Sequence, residues 1–163
     1  MFTPALLSRA EVLLETCRVR GIRVVSAESC TGGLVTGLLT EVPGSSDVVD
    51  RGFVTYTDEA KSDCLGVPAA LIAKLGAVSR QVAAAMAQGA LVRSRADIAV
   101  AVTGVAGPGG GTDTKPVGLV YIAARDRSGV MAAREFQFGP MSRREIRLAS
   151  VNAALDLIEE VMR

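Results

Sequence analysis

The sequence predicts a three-layer α/β/α sandwich around a mixed, mainly parallel central sheet, and three observations lead there. Short apolar, β-branched runs alternate with longer stretches of helical spacing along much of the chain. One of these runs, DIAVAVTG at 97–104, is apolar without alternation, as a strand covered on both faces must be. Two later runs, VGLVYIAA and MAAREFQF, are separated only by RDRSG, which predicts an antiparallel hairpin.

Each element follows in order. Residues 4–20 carry Glu11 and Glu15 at helical spacing and read as an amphipathic helix, not a signal peptide. A strand over 22–28 breaks at the polar stretch SAESCTGG. The next helix, over 31–41, has Leu34, Val35, Leu38 and Leu39 on its apolar face. A strand over 48–56 ends in the alternating GFVTY. A helical region over 59–75 is interrupted at Gly66-Val67-Pro68. The longer helix SRQVAAAMAQGALVRSR then sets Val82, Ala85, Met86, Gly89 and Ala90 on one face. After the strand 97–104 comes the loop VAGPGGGTDTKP, then the hairpin. A last helix over 142–162 carries Ile146, Ala149, Ala153, Ile158 and Val161. No repeat, linker or low-complexity tail interrupts this order, so a single domain over 1–163 is expected.

Composition narrows the function. At 163 residues and 49% apolar, the chain can bury a core without disulfides or a metal. A net charge of +1, and no basic patch interleaved with aromatics, argue against a nucleic-acid partner. No apolar run approaches the ~20 residues that span a bilayer, so no membrane partner and a cytoplasmic location are expected. Cys17, Cys30 and Cys64 are odd in number and form no close pair, which argues against a disulfide framework or zinc site. Histidine is absent altogether. That absence excludes Ser-His-Asp and Cys-His mechanisms within the chain and removes the commonest metal ligand. An enzyme built from these residues needs Lys, Glu, Asp or Tyr as its base.

Three stretches offer chemistry. SAESCTGG sets a serine, a cysteine and a threonine at a Gly-rich turn between strand and helix, where backbone N–H groups meet anions or oxyanions. The same turn is also an ordinary tight connection. TGVAGPGGGTDTKPVG follows the buried strand and matches neither a GxGxxG turn nor a P-loop. It is either a surface loop or a close backbone approach to a ligand, with Thr103 and Thr112 supplying hydroxyls. In GFVTYTDEAK, Thr57 or Asp58 caps a helix whose first turn holds Lys61. There the helix dipole opposes the ammonium while Asp58 and Glu59 favour it, so the residues alone leave the sign of any shift open.

AESCTGG, PGSS, GFVTYTDEAK, LGV, GAVS, AVTGVAGPGGG and KPVG, in register from about Ala10 to the last helix, resemble the C-terminal domain of the CinA family. Its stand-alone members are nicotinamide-nucleotide amidases. The resemblance implies a three-layer α/β fold and hydrolysis of the carboxamide of nicotinamide mononucleotide to nicotinate mononucleotide and ammonia. It further implies a Ser-Lys arrangement with no metal and no cofactor, and a homodimer or higher homo-oligomer is expected. Carried over by motif, the nucleophile falls on Ser29, with Tyr56 and Lys61 completing the catalytic set. Substrate-binding roles fall on Cys30, Thr31, Gly32, Thr103, Gly104 and Arg143, the last for the 5′-phosphate. FGPMSRREIR departs from the family's Gly-Asp-Arg, which leaves Arg144 as a rival to Arg143, and Thr57-Asp58 stands where relatives have Ser-Asn. Lys74-Leu75 precedes GAVS where many relatives carry a histidine.

Cys30 is the stronger nucleophile in the abstract. If the Ser29 side chain points into the cleft, its neighbour Cys30 points elsewhere and packs. The expected mechanism has neutral Lys61, directly or through Tyr56, taking the Ser29 proton. Glu28 is the alternative base, and amides of the Cys30–Gly33 turn or of Thr103–Gly104 would hold the oxyanion. The competing reading is a nucleotide-binding regulatory module that keeps the pocket without turnover.

Overall fold

The strands β1 (Val24–Glu28), β2 (Val49–Val54), β3 (Ile98–Gly104), β4 (Leu119–Asp126) and β5 (Met131–Gln137) form one sheet in the order β2-β1-β3-β4-β5 in the computed structural model, which describes residues 2–163. β1 runs parallel to both β2 and β3, and β4 and β5 are added antiparallel. The carboxyl ends of the three parallel strands therefore open on one edge of the sheet, where ligands bind in open α/β folds.

Side-chain alternation along the strands builds two unequal cores. Val24, Ile98, Val100, Val102, Val120 and Ile122 face the helices α1 (Pro4–Arg20), α2 (Leu34–Thr40) and α6 (Arg143–Val161). Ala27, Ala99, Ala101 and Ala123 face the other layer: α3 (Asp58–Leu65), α4 (Ala69–Leu75) and α5 (Arg80–Val92). The small residues of that second face let α5 lie close to the sheet. α5 also meets α3 at backbone range, since a Cβ at Gly89 would sit 2.0 Å from the Leu65 carbonyl oxygen. Among the described residues no helix is long and apolar enough to cross a membrane.

Of the boundaries that differ from the sequence expectation, two have clear local reasons. α2 starts at Leu34 instead of 31 because Gly32 and Gly33 take φ of +59° and +92°, outside the right-handed helical region. β2 ends at Val54, two residues short, as the chain leaves the sheet so that the Thr57 hydroxyl can accept from Ala60 N–H at 3.1 Å and cap α3. The region 59–75 is two helices, parted at Gly66 (φ +68°) and Pro68. α6 opens with a Ser142–Glu145 capping box, which puts Arg143 in its first turn at the carboxyl edge of the sheet.

Candidate active site

Ser29 follows the last residue of β1, and its N–H donates to Val102 O at 2.9 Å, as if the strand pairing continued one residue further. This places the serine at the junction of β1, β3 and the SCTGG turn. From the next strand, the β2–α3 connection brings Lys61 beneath it: Lys61 Nζ lies 3.2 Å from Ser29 Oγ. Lys61 is 1% exposed, the most deeply enclosed charged chain facing the site. Its Nζ also donates to Thr55 O at 3.1 Å and Thr57 O at 3.3 Å, and Asp58 stands 3.8 Å away with its carboxylate mostly in solvent. Burial lowers the Lys61 pKa from the ordinary lysine value, against the upward pull of Asp58 and the other nearby groups. The sign that the sequence leaves open is thus set by desolvation.

Glu28, one residue before the serine, is fully buried and serves the backbone. Its Oε2 accepts from Gly33 and Val35 N–H at 3.0 Å each, and its Oε1 from Thr36 N–H at 2.9 Å. The Ser26 and Thr36 hydroxyls complete the shell. α2 has no capping side chain at its own Gly33, so a carboxylate on the strand caps it. Glu28 is engaged with these donors and makes no bond to Ser29. Of the two base candidates, Lys61 is the one whose side chain meets Ser29 Oγ.

The turn itself is divided. Gly32 N–H donates to Ser29 O at 3.0 Å and Gly33 N–H to Glu28. Cys30 and Thr31 are left as the turn's amides with no backbone carbonyl among the described residues to accept from them. The Cys30 side chain packs into the core beneath α2 and α6, on the side away from Lys61. Burial pushes its thiol up to about 12, which keeps it neutral and inert. Thr31 is fully enclosed, and its Oγ1 has no hydrogen-bond partner. Thr103 Oγ1 donates to Ala77 O at 2.9 Å, which fastens the loop before α5 beside the site. Gly104 is required by the sheet: a Cβ there would meet Leu119 O at 2.8 Å.

Tyr56 and Arg143 come together at the rim. Arg143 donates through one nitrogen to Tyr56 Oη at 2.9 Å and through the other to Gly107 O at 2.7 Å, so it bridges the β2–α3 connection and the glycine-rich loop. Tyr56 is 58% exposed and makes no hydrogen bond to Lys61 or Ser29, so the contact between Lys61 and Ser29 is direct. Among the described residues no group of three His, Cys, Asp or Glu could hold a metal ion.

Two participants escape the sequence reading. The first is Glu28 as a helix cap, signalled by a carboxylate inside an apolar strand just before a helix that starts on glycine. The second is Arg147, one helical turn beyond Arg143, whose NH2 donates to Thr31 O at 2.7 Å. Its spacing from Arg143 was the available signal.

Comparison with known proteins covers nearly the whole chain. The family model described as CinA C-terminal domain matches residues 7–162. A competence-damage inducible protein of Caldicellulosiruptor saccharolyticus is 49% identical over 93% of this chain and 36% of its own length. One from Symbiobacterium thermophilum is 59% identical over 68% of this chain and 26% of its own. The chain spans about a third of the length of such relatives. The crystal structure of the competence/damage inducible protein CihA from Agrobacterium tumefaciens superposes with a TM-score of 0.98 at 51% identity, over 100% of this chain and 99% of that one. A CinA superfamily protein from Escherichia coli gives 0.90 at 31% identity, over 99% and 94%.

Proposed function

The chain belongs to the CinA C-terminal domain family, and from that membership and the Ser29–Lys61 geometry we propose that it hydrolyses the carboxamide of nicotinamide mononucleotide, giving nicotinate mononucleotide and ammonia without a metal. The observation that carries the reading is the enclosed Lys61 amine at 3.2 Å from Ser29 Oγ. A neutral amine has two N–H donors and one lone pair. The Thr55 and Thr57 carbonyls take the two donors, which turns the lone pair toward the serine hydroxyl.

Ser29 Oγ attacks the carboxamide carbon as its proton passes to Lys61 Nζ. The oxyanion accepts from the Cys30 and Thr31 amides, a contribution of about 3 kcal/mol for each well-aimed donor. The C–N bond breaks as the Lys61 ammonium returns the proton to the departing nitrogen, and ammonia leaves. Water then attacks the acyl-serine, giving its proton to Lys61, and Ser29 recovers it when nicotinate mononucleotide departs. Arg143, held by Tyr56 and Gly107 at the rim, binds the 5′-phosphate with its remaining N–H donors.

The test is ammonia release from nicotinamide mononucleotide by the purified protein in EDTA. Ser29→Ala should abolish release while the protein still gains thermal stability from the mononucleotide. Binding without release by the unaltered protein would instead support the nucleotide-binding module.

A further inference from the structure

We propose that Arg147 is a positioning residue for this acyl transfer: it braces the SCTGG turn through Thr31 O and lays its positive charge beside the amides that receive the oxyanion. The inference rests on the amidase reading above. Its starting point is that the turn's own bonds are few, Gly32 N–H to Ser29 O at 3.0 Å and Leu34 N–H to Thr31 O at 3.3 Å. Gly32 and Gly33 both take positive φ, and glycine pairs fix little by their own sterics. Two charged side chains from other elements supply what the glycines lack. Glu28 takes Gly33 N–H from the α2 side at 3.0 Å, and Arg147 gives NH2 to Thr31 O from the α6 side at 2.7 Å. The two amides left for an oxyanion, of Cys30 and Thr31, lie between Ser29 and these anchors.

Arg147 is placed against the turn and not beside it. A Cβ on Gly32 would come within 3.2 Å of the same NH2. Its Nε is buried with no acceptor, and no carboxylate forms an ion pair with it among the described residues. A half-buried guanidinium with no carboxylate at ion-pair distance makes its immediate surroundings favourable to negative charge. In the acyl-transfer cycle that charge appears on the carbonyl oxygen as the tetrahedral intermediate forms, and vanishes when it collapses. Arg143 differs, since it reaches outward to the exposed Tyr56 and the glycine-rich loop. One turn of α6 thus carries two arginines with separate tasks: substrate affinity at the rim and transition-state geometry at the turn.

The test pairs two substrates. p-Nitrophenyl acetate reports acylation of Ser29 as a burst of p-nitrophenol and an acetyl mass on that residue, whatever the natural substrate is. Nicotinamide mononucleotide reports kcat and KM. Arg147→Met should slow both the burst and kcat roughly tenfold to hundredfold, as expected when oxyanion donors move by a fraction of an ångström. KM and the thermal shift given by nicotinate mononucleotide should stay within about threefold of the unaltered protein. Arg147→Lys, which keeps a charge and a donor for Thr31 O, should recover part of the loss. If Arg147→Met fails to fold, Arg147→Gln takes its place with the same expected split.

An Arg147→Met protein with a lowered melting point and an unchanged burst would reduce Arg147 to scaffolding and overturn the proposal. So would a rise in KM for the mononucleotide but not for the phosphate-free riboside at constant kcat, which would make Arg147 a phosphate ligand. An unaltered protein that is acetylated on Ser29 yet releases no ammonia from the mononucleotide would remove the substrate assignment alone, with the burst still deciding Arg147. If it is not acetylated either, both fall.

Discussion

Glu28 and Lys61 are two charged side chains sealed inside one small domain, and they are housed in opposite ways. The Glu28 carboxylate is ringed by three backbone N–H groups and two hydroxyls, donors enough to replace the water it has lost. The Lys61 amine has two backbone carbonyls and a serine hydroxyl, and its one ion-pair partner stands 3.8 Å off in solvent. A buried carboxylate with a full shell of donors is tied into the backbone around it and holds structure together. A buried charge with a thin shell of neutral acceptors is pushed toward its neutral form, in which a lysine becomes a base. Glu28 fixes the turn that follows Ser29, and on the proposed mechanism Lys61 takes the serine's proton.

The sharpest way to break that contrast is at Lys61. Lys61→Met and Lys61→Arg should both lower kcat by at least about 10³-fold, because neither side chain can accept a proton near neutral pH. Comparable activity in Lys61→Arg would show that charge alone suffices. Lys61→Met should also remove a pH dependence of stability. The folded pKa of Lys61 lies below that of the unfolded chain, so between those two values the unfolded state holds the extra proton. Stability of the unaltered protein should therefore rise with pH across that window, toward about 10.4, relative to Lys61→Met. Melting points measured over alkaline pH decide it.

Glu28→Gln tests the other half. Its amide nitrogen would face backbone donors, at a cost of about 2–4 kcal/mol that a urea titration would read, while the folded fraction keeps turnover that Lys61→Met lacks. A smaller effect is due at Cys30, whose thiol is held neutral by burial. Cys30→Ala should lose about 1–2 kcal/mol of stability and keep most activity, and loss of the chemistry there would move the nucleophile. The smallest effect belongs to Asp58→Asn. Removing that distant carboxylate takes away an upward pull on Lys61, so the pH profile of kcat/KM should move to lower pH with its maximum little changed.

What the sequence makes legible here is whatever depends on alternation and spacing. Successive residues of a strand end point to opposite sides, which suffices to put Ser29 toward Lys61 and Cys30 into the core. The unbroken apolar run of β3 forecasts its burial on both faces of the sheet. The sense of the Lys61 shift is not legible, because it depends on how completely the fold buries the amine. Nor is the division of labour among the carboxylates and guanidiniums: Glu28 looks like an acid near a nucleophile until the amides of α2 are seen around it. Arg147 gives no signal beyond its spacing from Arg143 until the fold carries α6 across the turn.

The close seat of α5 on α3 has a consequence for heredity. Leu65 lies one turn past Lys61 on α3, and its carbonyl fits against α5 only because position 89 has no side chain. Even a methyl group there would have to push α3 away, and the lysine would go with it. A genetic screen for lost turnover would then return Gly89 alongside Ser29 and Lys61, although no atom of it comes near a substrate. The spacing of Lys61 from Ser29 is inherited through a glycine on a different helix.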